Sequence, residues 1–311
     1  MADRPKIVVV GSSNTDMVVK TGHIPVPGET VIGGDFVVAA GGKGANQAVA
    51  AARLGADVTF VARVGSDVFG DQSVENFGRE GINTDFIVRE DAVPSGVALI
   101  FVDSQGENSI VVAPGSNAGL TVEDVEAAAE RIRSADVLVT QLEVPIEAVS
   151  RAIGIAHDAG VRVILNPAPA APVPPITLAK VDVLIPNESE AAQLAGVSLE
   201  AGRDACLLAE SILDAGVHTV IVTLGSRGAC VVDQTGNNRF QAPIVSAVDT
   251  TAAGDAFTGA LAFALGQGKS MEEAVRFAIC AAAISVTRMG AQPSLPTLNE
   301  VEAALKDGPV S

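Results

Sequence analysis

The sequence predicts an α/β fold, a three-layer sandwich with a mainly parallel central sheet flanked by helices, plus a small β-strand lid. Short Val- and Ile-rich runs alternate with helical patterns along most of the chain, the rhythm of βαβ units covered on both faces. The 311 residues are 48% hydrophobic with ten Phe, no Trp and no Tyr. Ala, Val, Leu and Ile must therefore fill the interior, as they do where small-residue helices pack on buried parallel strands. Two stretches, about 17–40 and 95–113, break the rhythm. They read as antiparallel strands without crossover helices, which sets them beside the main sheet as a flap able to cover a site.

In chain order, KIVVVG is a strand, GANQAVAAARLG a helix, DVTFVARVG a strand and DVFGDQSVENFGREG a helix. The flap pair follows, SGVALIFVD and NSIVVA, around the turn residues Ser104, Gln105 and Gly106. Next come the strand DVLVTQLE, the helix PIEAVSRAIGIAHDAG, and the strands VRVILNP, DVLIPN and TVIVTLG. Three helical stretches close the chain, beginning at GDAFTGALAFALG, MEEAVRFAICAAAISVTR and LNEVEAALK. No repeat or low-complexity segment breaks the rhythm over residues 1–311, a length that suffices for one large domain or two modest ones.

Composition excludes some functions. A formal net charge of −17 repels phosphate backbones, and few aromatic side chains are available for bases to stack on, so no nucleic-acid partner is expected. The N-terminal apolar run is too short for a signal-peptide core and no stretch approaches a membrane span. Cys206, Cys230 and Cys280 lack metal-ligand spacing, and an odd number gives no complete disulfide framework. A reducing cytoplasm is the expected location. His23, His157 and His218 lie far apart, which gives little support to a zinc site or a Ser-His-Asp triad.

Polar residues gather instead at predicted strand ends: Asn14 and Asp16, Glu143, Asn166, Asn187 and Glu190, Gly225, and Asp255. The carboxyl edge of an open parallel sheet is where a ligand sits. GGKGANQA, residues 41–48, offers close backbone approach, a helix start, and Lys43 and Asn46 as donors; it suits hydroxyls or an anion, and equally a tight strand-to-helix turn. It is no Walker A loop, because no Ser or Thr follows the lysine. GQGKS, residues 266–270, fails as well, with Phe263 where glycine is required. No G-x-G-x-x-G follows a strand, which argues against a dinucleotide oxidoreductase.

Three further motifs have double readings. TLGSRG, residues 223–228, is either a nucleotide-facing loop with Arg227 near phosphate or a hairpin turn. NESE, residues 187–190, sets Asn187 and Glu190 on one helical face, for a water-rich Mg²⁺ or for an N-cap with a solvent-facing glutamate. AAGD, residues 252–255, puts an acid at the positive end of a helix. Asp255 is then either an N-cap, or the carboxylate that takes a hydroxyl's proton while free N–H groups stabilise a transferred phosphoryl group.

GGKGANQA, QLE, NPAPA, PNESEA, TLGSRG, VDTTAAGDAFTGA and VTRMGAQPS, in this order, closely resemble the PfkB carbohydrate kinase family, and its ribokinase branch in particular, nearly end to end. The resemblance implies a ribokinase-like kinase domain acting on ATP and D-ribose, with ribokinase chemistry at the 5-hydroxyl. It assigns the sugar to Asn14, Asp16, Gly42, Lys43, Asn46 and Glu143, the base to Asp255, and the anion hole to Ala252, Ala253 and Gly254. ATP falls to Asn187, Thr223, Leu224, Gly225, Ser226, Arg227, Gly228 and Gly254, with Ile279 beside the adenine where some ribokinases carry histidine. Glu190 helps organise Mg²⁺ indirectly. An activating K⁺ maps to Asp249 and Ser294 and to the main-chain carbonyls of Thr251, Ser285, Arg288 and Gly290. The flap matches a lid that also pairs two subunits as a homodimer. Kinases of the same scaffold acting on fructose, deoxyribose or adenosine remain as alternatives, as does a non-catalytic sugar or nucleotide sensor.

Overall fold

The computed structural model describes residues 4–105, 107–197 and 204–306; the turn residue Gly106 lies outside the described residues. The first half contains β1 (Lys6–Val10), β2 (Asn14–Lys20), β3 (Phe36–Gly41), α1 (Lys43–Arg53), β4 (Asp57–Gly65), α2 (Val68–Arg79), β5 (Asn83–Glu90), β6 (Gly96–Val102), β7 (Asn108–Ala113), α3 (Val122–Ala127), α4 (Ala129–Arg133) and β8 (Val137–Thr140). The second contains α5 (Ile146–Asp158), β9 (Arg162–Leu165), α6 (Pro175–Leu178), β10 (Val183–Leu184), α7 (Glu188–Leu194), α8 (Ala205–Leu213), β11 (Thr219–Thr223), β12 (Ala229–Asp233), β13 (Gly236–Phe240), α9 (Ala253–Gly266), α10 (Met271–Ser285) and α11 (Leu298–Lys306).

Nine strands form the main sheet in the order β13-β12-β11-β10-β9-β8-β1-β4-β5. All neighbours are parallel except at the β12 and β13 edge, which is antiparallel. Successive side chains of a strand face opposite sides, and β1 shows the result: Ile7 and Val9 pack in one core with Ala48, Leu261 and Phe277, while Val8 and Val10 pack in another with Ile153 and Ile212. The runs are apolar throughout because both faces are covered. From β1 the chain builds outward through β4 to β5, then returns to β8 and builds the other way. That reversal opens a crevice at the carboxyl ends of β1 and β8.

A second sheet of four strands, β3-β2-β6-β7, corresponds to the flap. Its β2/β3 and β6/β7 pairs are antiparallel, and β2 and β6 join them in parallel. Asn14 and Asp16 therefore lie in a strand of the small sheet, not in a turn after the first main-sheet strand. Of the stretch ETVIGGDFVVAA only Phe36 onward is strand. This sheet leaves Phe36, Val37, Ile110, Val111 and Val112 exposed, on both of its faces because neighbours along a strand point to opposite sides.

The cysteine reading is corrected: Cys206 of α8 and Cys230 of β12 form a disulfide, and Cys280 is free and buried. Helix α8 packs on β12, bringing together cysteines whose Cα atoms are 5.8 Å apart although 24 residues separate them in sequence. Their spacing in sequence carries no sign of that contact.

Candidate active site

Helix α9 starts at the crevice and sets the site's geometry. Its N-cap is Ala252, left-handed at φ 59°, where a non-glycine residue carries strain of about 1 kcal/mol or more. Asp255 is thus the third helical residue and not the cap. Its side chain makes no cap hydrogen bond; it turns inward, 5% exposed. Asn46 Nδ2 donates to Asp255 Oδ2 at 2.9 Å and Gln47 Nε2 to Oδ1 at 3.0 Å. Burial pushes the Asp255 pKa above the ordinary carboxylate value, opposed by the Lys43 ammonium and the two amides and aided by Glu143. A carboxyl raised in this way is a better proton acceptor than a solvated aspartate.

The start of α9 also supplies unpaired donors. The Ala253 amide donates to the Thr250 carbonyl at 3.2 Å. The Gly254 and Asp255 amides find no acceptor among the described residues, so of the expected anion-hole residues Ala252, Ala253 and Gly254 it is Gly254, joined by Asp255, whose N–H group is free to meet an anion at the helix end.

A cavity of about 590 Å³ opens onto this turn. Its walls include Lys43, Asn166 and Ala168, residues 187–190, residues 223–225, Thr250 and residues 252–255. Asn187 and Glu190 form a reciprocal capping box at the start of α7, and both line the cavity. The two readings of NESE are therefore compatible. Burial raises the Glu190 pKa, against the opposing Asn187 amide and Lys43 charge. TLGSRG is the turn between antiparallel β11 and β12, and its Thr223, Leu224 and Gly225 form part of the cavity wall. Ser226, Arg227 and Gly228 lie outside that wall, and the exposed Arg227 guanidinium donates to Glu188 at 2.6 Å. Ile279 is 7% exposed and packs in the core with α9 and α10, away from the cavity lining.

The remaining predicted residues stand toward the small sheet. Gly42, at φ 89°, precedes α1 where a Cβ would come within 2.6 Å of the Asn14 nitrogen; only glycine permits that approach. Glu143 Oε2 accepts from the Ser12 hydroxyl at 2.5 Å and the Lys43 amide at 3.1 Å. Burial disfavours the Lys43 ammonium, but the charges of Asp255, Glu143 and Glu190 outweigh this and its pKa is raised. Burial, with the nearby negative charges of Glu143 and Asp255, pushes Asp16 up to about 7. The buried Asn46 Oδ1 has no partner, which leaves it ready to accept from a ligand hydroxyl. Asn117 was not singled out from the sequence. It donates to Asn14 Oδ1 at 2.7 Å and turns the Asn14 amide donor outward. Ser12, Gln47 and Gln141 were missed as well: a lone polar residue carries no signal of a partner about a hundred or more residues away in sequence.

Of the residues mapped to K⁺, Thr251 and Gly290 contact Asp249. Its Oδ1 accepts from the Thr251 amide and hydroxyl at 2.9 and 2.6 Å, and its Oδ2 from the Gly290 amide at 2.8 Å. These bonds outweigh desolvation and lower its pKa. Ser285 and Ser294 are fully buried beside this loop pair, and Arg288 is bound to Glu300. One carboxylate with neutral oxygens fits a hard cation. Among the described residues no three Asp, Glu, His or Cys converge on a metal site.

Gly254 offers a first test. A Cβ there meets nothing within 4 Å and points into open space at the cavity wall. Gly254→Ala is expected to raise Tm slightly, by the helix preference of about 0.5–1 kcal/mol, and to lower kcat by about 10-fold or more by crowding the transferred group. A melting curve with a turnover assay separates the two; unchanged turnover would remove Gly254 from the site.

Comparison with known proteins places this geometry among sugar kinases. The pfkB family carbohydrate kinase profile matches residues 4–298. The chain is 43% identical over 297 residues to a ribokinase of Haemophilus influenzae, covering 96% of this chain and 97% of the relative. It is 39% identical over 295 residues to a deoxyribokinase of Salmonella typhi, with 94% and 96% covered. The structure of Arabidopsis thaliana ribokinase complexed with ribose and ATP superposes at TM-score 0.89 and 35% identity, covering 98% of this chain and 99% of that one.

Proposed function

The chain belongs to the pfkB family of carbohydrate kinases, and on that premise we propose that it transfers the γ-phosphoryl group of ATP to the 5-hydroxyl of D-ribose. The observation that carries this is Asp255, a buried carboxylate on the first turn of α9, gripped by two amides and flanked by free N–H groups at the mouth of a cavity. In-line transfer requires a base for the attacking hydroxyl and donors for the charge on the transferred group, and one helix turn provides both.

The cavity wall from Asn187 to Gly225 takes the nucleotide. Asn14, Asp16, Lys43, Asn46 and Glu143 take the sugar, the carboxylates and the Asn46 oxygen accepting and the Asn14 amide and Lys43 ammonium donating. Asp255 removes the 5-hydroxyl proton as the oxygen attacks, and the Gly254 and Asp255 amides receive the negative charge. Glu190, with one oxygen uncommitted by its capping box, would hold the water shell of Mg²⁺, which would supply charge neutralisation on the ATP phosphates. Asp249, Thr251, Ser285, Arg288, Gly290 and Ser294 would hold K⁺, whose charge would brace the loop that leads into the anion hole. The small sheet closes over the sugar, and its exposed apolar residues pair two copies as a homodimer in the cytoplasm. So acidic a chain is not expected to take a nucleic-acid partner, and among the described residues no helix is long and apolar enough to cross a membrane. A second reading, 2-deoxyribose as acceptor, is favoured by the similarity to the Salmonella deoxyribokinase.

The test is product formation from Mg-ATP with D-ribose, 2-deoxyribose, fructose or adenosine, in potassium and in sodium. Ribose is expected to be used preferentially and faster in potassium, and Asp249→Ala to erase the difference between the ions. Preference for another acceptor would keep the kinase and reject the sugar assignment.

A further inference from the structure

We propose that Gln47 and Gln141 are positioning residues: a two-amide relay that holds the Asp255 carboxylate in the orientation that accepts the sugar hydroxyl's proton. This rests on Asp255 acting as the base. Gln47, on α1, and Gln141, just after β8, are both wholly buried. Gln47 Nε2 donates to Asp255 Oδ1 at 3.0 Å and to Asn166 Oδ1 at 3.2 Å. Gln141 Nε2 donates to Gln47 Oε1 at 2.7 Å. Neither side chain lines the cavity.

The polarity of the chain is dictated from its ends. An ionised carboxylate only accepts, so the Gln47 NH₂ group must face Asp255. Asn166 agrees, because its own Nδ2 is spent on the Ile185 carbonyl at 2.8 Å, leaving its oxygen toward Gln47. Gln47 Oε1 must then face Gln141, whose NH₂ group must face it in turn. Gln141 Oε1 is the end of the line, buried without a partner. A Cβ on residue 11 would lie 2.0 Å from that oxygen, so Gly11 is the space that admits the Gln141 amide. Two dry amides ending in an unpaired oxygen disfavour the fold relative to apolar side chains of similar volume. What the arrangement provides is a carboxylate fixed at both oxygens, since Asn46 holds the other, with the β8 and β9 ends as its frame.

Other charges face Asp255: Lys43 from α1, Glu143 after β8, Glu190 from α7 and Asp16 from β2. None is altered by changing Gln141. The experiment compares full-length wild type, Gln141→Met and Gln47→Met by kcat, ribose KM, melting temperature and the Asp255 titration. The titration is followed by ¹³C NMR of Asp-labelled, ligand-free protein, with the resonance assigned through Asp255→Asn. Gln141→Met is expected to lower kcat about 10-fold with ribose KM within about twofold, and to move the Asp255 midpoint upward by about one pH unit as the carboxylate loses a firmly held donor. Gln47→Met moves both at least as far. An unchanged midpoint and kcat in a folded variant overturns the proposal; so does a fall in melting temperature with the midpoint unmoved, which marks a merely structural role. The titration needs no substrate, so a wild type inactive on ribose rejects the function while leaving the relay separately tested.

Discussion

Asp255→Asn is expected to lower kcat by about 10²-fold or more while leaving the ribose dissociation constant nearly unchanged. The substitution keeps the volume and one hydrogen-bond acceptor but cannot take a proton. The carboxyl is 5% exposed, so water does not readily replace it. The new amide also turns an NH₂ group toward either Asn46 Nδ2 or Gln47 Nε2, both donors in the native site. Loss of one good hydrogen bond costs far less than loss of the base, which is why the effect falls on kcat and not on the melting temperature. Single-turnover rates with ribose binding measured by calorimetry check this directly. Near-normal turnover would contradict the assignment of the base.

Asp16→Ala is expected to weaken ribose binding by roughly 1.5–3 kcal/mol, about 10- to 150-fold, the usual worth of hydrogen bonds to a charged group. Asp16 also predicts a pH dependence. Burial and the nearby negative charges of Glu143 and Asp255 place its folded pKa at about 7. Below that the free protein holds it protonated, and ribose binding, which favours the accepting carboxylate, strengthens as pH rises toward 7 and then levels off. Stability runs the other way. The folded protein binds this proton more tightly than the unfolded chain, so the contribution of Asp16 to stability is full below about pH 4 and falls as pH rises to 7. Asp16→Asn, which carries no charge, should therefore melt above the wild type at pH 8, match it at pH 4, and still bind ribose poorly. A melting temperature that follows the wild type at both values would contradict the raised pKa.

The parts of the fold visible in the sequence are those whose periodicity is set by burial on both faces. DVTFVARVG is β4 in full, and GANQAVAAARLG covers all of α1 but its first residue, Lys43. The antiparallel edge strands β12 and β13 were passed over, because β13 is exposed along most of its length and carries no apolar run. Site residues were legible where their own local motif carried them, as in GGKGANQA and AAGD. What stayed hidden was contact at long range. Capping preference pointed to Asp255 as an N-cap; placing it three residues inside the helix depends on the backbone of Ala252, which residue type does not announce. Gln47 meets Asp255 across 208 residues of sequence and Gln141 across 94. Cys206 meets Cys230 only because α8 lies on β12. Asn14 and Asp16 resembled turn residues because the chain leaves β1 at Val10 and enters a second sheet after three residues.

The most direct test of the central claim is the position of the new phosphate. Product made by the wild type from Mg-ATP and D-ribose in potassium is to be examined by ¹H–³¹P correlation NMR. The account predicts phosphorus coupled to the two protons on carbon 5. Phosphorus coupled to the anomeric proton, or no phosphorylated sugar at all, would contradict it.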